Sequence, residues 1–133
     1  MIACPHSRMH RAAVAAAALF GLLTLFAGGR VLLGLGEVGY VVVRPVLVFN
    51  TVMGAVYITV ALLAVRDLAI GRRAALVVVL LNAAVLTAVL FLRFGGSNVA
   101  TETLGAMVFR TILWTTIALM LYRASRVSTS SAD

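Results

Sequence analysis

The sequence predicts an all-α fold, a four-helix transmembrane bundle, and three observations carry that prediction. Four apolar runs of helix length follow one another, at residues 12–29, 45–65, 74–92 and 104–122, and about 20 apolar residues suffice to cross a bilayer core. The chain is 63% hydrophobic and 11% charged, with a mean hydropathy of +1.13; an ordinary soluble domain is roughly 45–50% apolar and 25% charged. A soluble fold of 133 residues exposes too much surface to hide so much apolar area. The arginines, finally, stand at the ends of the apolar runs, with Arg110 the exception.

Residues 1–11 (MIACPHSRMHR) are short, polar and basic and are expected to form a cytoplasmic N-terminal tail. The run behind them has the basic-then-apolar order of a signal peptide. No small-x-small cleavage pattern follows it and further spans do, so an uncleaved first helix is expected, ending at Gly28-Gly29 or reaching Leu33 if Arg30 snorkels to the interface. Ala13, Ala17, Gly21 and Gly28 recur on one stripe of that helix, the close-packing face on which helices associate in lipid.

Residues 30–44 carry Gly34, Gly36 and Gly39 together with Glu37 and Tyr40, which argues against a continuous helix and for an interfacial or re-entrant loop at the outer surface. The second helix opens at Pro45, where a missing N–H does no harm. Asn50, Gly54, Tyr57 and Ala61 fall on one of its faces. Residues 66–73 (RDLAIGRR) look like a tight basic loop, and the third helix behind them carries Asn82 near its middle. A polar, glycine-bearing loop at 93–103 leads to the fourth helix, and the Ser-rich residues 124–133 are expected to be a disordered cytoplasmic tail.

All eleven basic residues are arginine, and with four acids the net charge is +7. In a soluble protein that excess would raise nucleic-acid binding; at the ends of apolar runs it sets topology instead. With the N-terminus inside, Arg8, Arg11, Arg66, Arg72, Arg73, Arg123 and Arg126 lie inside, against Arg30, Arg44 and Arg93 outside. That bias predicts both termini in the cytoplasm. Arginine without lysine, in an Ala/Val/Gly-heavy chain, suggests a GC-rich bacterial genome and hence the bacterial plasma (inner) membrane.

The two halves look alike. Arg11-Ala12-Ala13-Val14 opens the first helix and Arg73-Ala74-Ala75-Leu76 the third; Gly28-Gly29 closes the first and Gly95-Gly96 the third; Val48-Phe49-Asn50-Thr51 lies in the second and Val108-Phe109-Arg110-Thr111 in the fourth. The pattern fits a parallel 2+2 repeat of helical hairpins, with chance alignment of Ala/Val/Leu-rich helices as its rival. In such a repeat Asn50 and Arg110 are equivalent, and Glu37 and Glu102 lie in equivalent outer loops, which would gather a polar cluster near the outer face.

Arg110 stands six residues into its run, about 9 Å deep. A charge at the bilayer centre costs roughly 2.5–3.5 kcal/mol on insertion scales. Three readings meet that cost: snorkelling to the outer headgroups, a structural pair with Glu37 or Glu102, or binding of an anionic or polar ligand. Glu102 is eight positions away on the same helix, beyond the i,i+4 contact, so Glu37 is the better partner by geometry. Asn50, Asn82, Thr87 and Thr111 are candidates for hydrogen bonds between helices, worth about 0.6 kcal/mol each. Tyr57 and Trp114 lie too deep for an interfacial aromatic belt. Either they pack inside the bundle or they wall a pocket for a quinone, a lipid or another flat apolar ligand.

Several chemistries are excluded by residue type. The lone Cys4 allows neither an internal disulfide nor a CxxC redox centre. Both histidines lie in the N-terminal segment, so no intramembrane pair can ligate haem, and no HExxH, Ser–His pair or carboxylate dyad occurs within a span. A small proton-coupled exporter would want a carboxylate in its first helix, and none is there. Cys4, His6, Met9 and His10 are soft-metal ligand types, but they sit on a short tail with no second cluster to complete a site. No enzyme activity, cofactor or metal is therefore expected.

The fourth helix contains E-T-x-G-A-M-x-x-R-T-x-x-W, spelled by Glu102, Thr103, Gly105, Ala106, Met107, Arg110, Thr111 and Trp114. This motif resembles the last helix of small, uncharacterised bacterial four-helix membrane proteins, and the layout is similar to that of DoxX-like bundles. Neither resemblance implies an activity. The leading expectation is a non-enzymatic accessory or scaffold subunit of a larger membrane complex. The second is a small-ligand transporter, or a quinone- or lipid-binding bundle, using Arg110, Asn50, Tyr57 and Trp114, with transport requiring a homodimer. The lipid bilayer is a partner in either case and nucleic acid in neither.

Overall fold

A computed structural model describes residues 5–36, 39 and 43–130 of the chain. Among the described residues there are four α-helices and no strand: α1 (Pro5–Leu32), α2 (Arg44–Arg66), α3 (Leu68–Phe94) and α4 (Thr101–Ser130). Each holds a segment long and apolar enough to cross a membrane: Arg8–Leu32, Arg44–Arg66, Leu68–Phe94 and Thr101–Val127. Even the shortest helix, α2 with 23 residues, spans about 35 Å, against a hydrocarbon core of about 30 Å. Only 22–33% of each span is buried in the protein. The outward surface of Leu22, Phe26, Leu62, Leu80, Phe91 and Ile112 suits lipid and would be a liability in water. The protein is a multi-pass, all-α membrane bundle.

The helices form a closed ring. α1 packs on α2, α2 on α3, α3 on α4 and α4 back on α1, while the diagonal pairs make no close backbone approach. Neighbours run antiparallel: His10 reaches Ala64 at one end of the α1–α2 pair, and Gly28 abuts Thr51 at the other. Four passes therefore bring both ends of the helical chain to one end of the bundle, here the proximal end. The α1–α2 and α3–α4 connections lie at the distal end.

Small residues set the closest contacts. A Cβ built on Gly54 would stand 2.8 Å from the Leu25 backbone N, and one on Gly21 would stand 2.9 Å from the Gly54 carbonyl oxygen. Ala13 and Ala17 on the same stripe are buried, so the predicted small-residue face of α1 is the face on α2. Missing side chains let backbones approach, and dispersion then holds them together in lipid.

Element boundaries depart from the sequence reading in several places. α1 begins at Pro5, so residues 5–11 are helical and not tail. The expected basic loop 66–73 is a corner with Asp67 as its one non-helical residue, and 68–73 are already α3. Asp67 makes this possible as N-cap: its Oδ1 accepts from the backbone N–H of Ala69 at 2.8 Å and of Ile70 at 3.2 Å, satisfying donors the first turn leaves orphaned. α4 continues to Ser130, eight residues beyond the expected end at 122.

α1 and α3 end in the same way. Leu35 N–H reaches Arg30 O at 2.9 Å and Gly34 N–H reaches Val31 O at 3.1 Å; Ser97 N–H reaches Leu92 O at 3.0 Å and Gly96 N–H reaches Arg93 O at 3.2 Å. Gly34 and Gly96 hold the left-handed position, at φ +71° and +88°, which completes a Schellman motif in each case. α1 therefore runs through Gly28-Gly29 without ending there. Gly34 and Gly96 are 62 positions apart, the same interval as Arg11 and Arg73, whereas Gly28 and Gly95 of the expected repeat are 67 apart and do not end their helices in the same way.

Candidate functional site

The bundle centre is filled by aromatic side chains. Tyr57 of α2 donates its hydroxyl to Asn82 Oδ1 of α3 at 3.1 Å. Its ring lies 4.6 Å from Trp114 of α4 and 5.7 Å from Phe20 of α1. Phe20 in turn meets the edge of Phe109 at 5.9 Å. One side chain thus touches all three other helices, across a ring whose diagonals have no close backbone approach. Tyr57, Asn82 and Trp114 are 0% exposed, and aromatic pairs at these separations add about 0.5–1.5 kcal/mol beyond area burial. Tyr57 and Trp114 pack on one another, so the space between them is not a slot for a flat ligand.

Toward the distal end the bundle opens into a cavity of about 210 Å³ between α1, α2 and α4. Asn50 and Arg110 both line it, as do Thr24 and Gly28 of α1, Val46 and Leu47 of α2, and Thr103 and Ala106 of α4. The fold therefore brings together the two polar residues that the repeat pattern pairs. Asn50 Oδ1 is buried and accepts no hydrogen bond from the described residues. Arg110 is half-buried. Because α4 starts at Thr101, Arg110 stands nine residues into the helix, about 14 Å along its axis, deeper than the sequence reading has it.

The remaining predicted site residues fall elsewhere. Glu102 is exposed on the first turn of α4, and its neighbour Thr103 lines the cavity in its place. Glu37 lies outside the described residues. Trp114 is one helical turn from Arg110, and Tyr57 two turns from Asn50, both toward the proximal end; neither lines the cavity. Of the residues expected to bond between helices, Asn82 does so through Tyr57. Thr87 and Thr111 instead donate to carbonyls of their own helices, Ala83 O and Met107 O, each at 2.8 Å. Thr24, Gly28 and Thr103 were not predicted as cavity residues. Thr24 carried a signal, standing on the α1 stripe between Gly21 and Gly28.

At the proximal end His10 Nε2 lies 2.8 Å from the Ala64 carbonyl oxygen. Since a carbonyl only accepts, that nitrogen carries the proton and is taken up by the α1–α2 contact. Cys4 lies outside the described residues. Among the described residues no three His, Cys, Asp or Glu come close enough together to hold a metal ion.

No protein-family model matches the chain, and neither the curated proteins nor the solved structures contain a significant match to it.

Proposed function

We propose that this protein is a non-enzymatic ligand-binding membrane bundle, taking a small polar molecule into the distal cavity between α1, α2 and α4. One observation carries the reading: Asn50 lines that cavity with a buried amide oxygen that has no hydrogen-bond partner among the described residues. An unsatisfied buried acceptor costs about 1–3 kcal/mol, a cost that a bound donor would remove.

The wall chemistry specifies the ligand. Arg110 brings a guanidinium to the cavity wall, and Asn50 supplies an acceptor. A complementary molecule carries an anionic or carbonyl oxygen next to an N–H or O–H. At about 210 Å³ the cavity is smaller than the roughly 300–1,000 Å³ of drug-sized sites, which favours a compact polar group over an extended quinone. In this reading the cavity faces the outer leaflet of a bacterial inner membrane, with both termini cytoplasmic, as the arginine distribution favours. Kinship with small bacterial four-helix membrane proteins belongs to the same proposal and rests on the Glu102–Trp114 motif.

Thermal unfolding of the purified chain in detergent, with a panel of small hydroxy acids, amino acids and amines, tests the assignment. Hydroxy acids or amino acids should raise the melting temperature and amines should not. The rise should vanish in Asn50→Leu. Equal response to amines, or an undiminished response in Asn50→Leu, would contradict the site.

A further inference from the structure

At the proximal end a second recess of about 500 Å³ runs between α3 and α4. Arg72 and Arg73 stand at its mouth, and Leu76, Val79, Ala118 and Leu119 line it toward the membrane interior. From Arg72 to Val79 is seven residues, about 10 Å along the helix axis. Leu76 and Leu119 are each 55% exposed, so the recess is open along its side to the surrounding lipid.

We propose that this groove is a binding site for one anionic phospholipid of the leaflet at the proximal end. The phosphate would sit on Arg72 and Arg73, with an acyl chain lying between α3 and α4. Charge complementarity and its arrangement single out this occupant: two adjacent cations at one end of a channel that is apolar but for Thr115, whose hydroxyl donates to the Thr111 carbonyl of its own helix, match a molecule with one anionic head and a hydrocarbon tail.

The mouth is also built. Arg72 donates to Ser125 Oγ at 2.9 Å and lies over the Tyr122 ring at 5.5 Å, while Arg126 covers the same ring at 5.0 Å. Arg72 is thereby held at the groove edge, with guanidinium capacity left for a phosphate, since five donors are available. Arg73 is exposed and makes no hydrogen bond or ion pair with the described residues. The one described acid at this end, Asp67, is engaged as the α3 cap. Basic pockets between transmembrane helices are where anionic headgroups bind. The inference concerns the end of the bundle opposite the distal cavity and stands whether or not that cavity takes a ligand.

The test is native mass spectrometry of the full chain in detergent, titrated with dioleoyl phosphatidylglycerol, with dioleoyl phosphatidylcholine, or with glycerol phosphate. One phosphatidylglycerol should be retained per chain, in preference to phosphatidylcholine, and glycerol phosphate should not be retained. A juxtaposed arginine is worth about fivefold in affinity for an anionic surface, so Arg72→Gln with Arg73→Gln should weaken retention by about thirtyfold. Arg73→Gln alone alters an exposed side chain that makes no hydrogen bond or ion pair with the described residues and should still cost about fivefold. Ala118→Phe fills the groove with both arginines present and should abolish retention. Equal retention of the two lipids, retention of glycerol phosphate, or phosphatidylglycerol binding that survives Ala118→Phe or Arg73→Gln unchanged would each overturn the proposal.

Discussion

The Tyr57 hydroxyl donates to Asn82 Oδ1 at 3.1 Å with both side chains fully buried, joining α2 to α3 at the level where the Tyr57 ring also meets α1 and α4. This bond and its ring contacts fix the register of the bundle, because a slide of any helix by one turn would separate Tyr57 from a partner. Tyr57→Phe keeps the ring and removes the bond, and should cost about 0.6–1.7 kcal/mol. Unfolding in mixed micelles reads this directly. Combined with Asn82→Leu, the loss should be smaller than the sum of the single losses, as for any directly coupled pair.

Glycines at the helix crossing and glycines facing outward should respond oppositely to the same change. At Gly54 a Cβ would stand 2.8 Å from the Leu25 backbone N, so Gly54→Ala must separate α1 from α2. A loss in the overpacking range of about 1–3 kcal/mol is expected. Gly105 is exposed, with nothing within 4 Å of an added Cβ. Gly105→Ala should leave stability unchanged or raise it by up to about 1 kcal/mol through helix propensity. The pair of melting curves separates packing from propensity.

The α2–α3 corner depends on a single carboxylate. Asp67→Ala removes the acceptor for the Ala69 and Ile70 N–H groups and should cost about 1 kcal/mol. Asp67→Asn retains an acceptor and should cost less. Amide hydrogen exchange in 68–71 should accelerate in the first variant ahead of any change in the rest of α3.

Membrane crossing is testable at the two ends. In a Cys4→Ala background, Ser97→Cys at the distal end and Ala69→Cys at the proximal end are both exposed positions. An impermeant thiol reagent applied to intact cells should label Ser97→Cys and not Ala69→Cys. Labelling of Ala69→Cys alone would invert the orientation; labelling of both would contradict a membrane-spanning α3.

Helix number and class were legible in the sequence because hydropathy is a property of whole runs, and lipid demands that a spanning backbone satisfy its own hydrogen bonds. The boundaries were not. RDLAIGRR has the charge of a loop, but Gly71 sits within α3 where Ala64 abuts it, and Asp67 alone turns the chain. The Ser-rich end continues α4 because helical hydrogen bonding extends past the apolar residues; Thr129 Oγ1 even bonds the Arg126 carbonyl oxygen at 2.9 Å. The partnership of Asn50 and Arg110 was visible only through the repeat pattern, and the cavity between them was not, since it depends on Thr24, Gly28 and Ala106 leaving space. Tyr57 and Trp114 were legible as deep residues; that they plug the bundle instead of lining the cavity follows from helix packing, which composition does not encode.

Asn50→Leu separates fold from binding. The Asn50 amide oxygen accepts no hydrogen bond from the described residues, so its replacement by a side chain of similar size should leave the melting temperature equal or higher. The most direct measurement is therefore native mass spectrometry of wild type and Asn50→Leu, each carried into nanodiscs from its own membrane. A single small retained mass on the wild type, absent from an equally stable Asn50→Leu, is the predicted result. A bare wild-type chain, the same mass on both proteins, or a heavier partner chain at fixed stoichiometry in place of a small molecule would contradict it, the last outcome pointing to an accessory subunit.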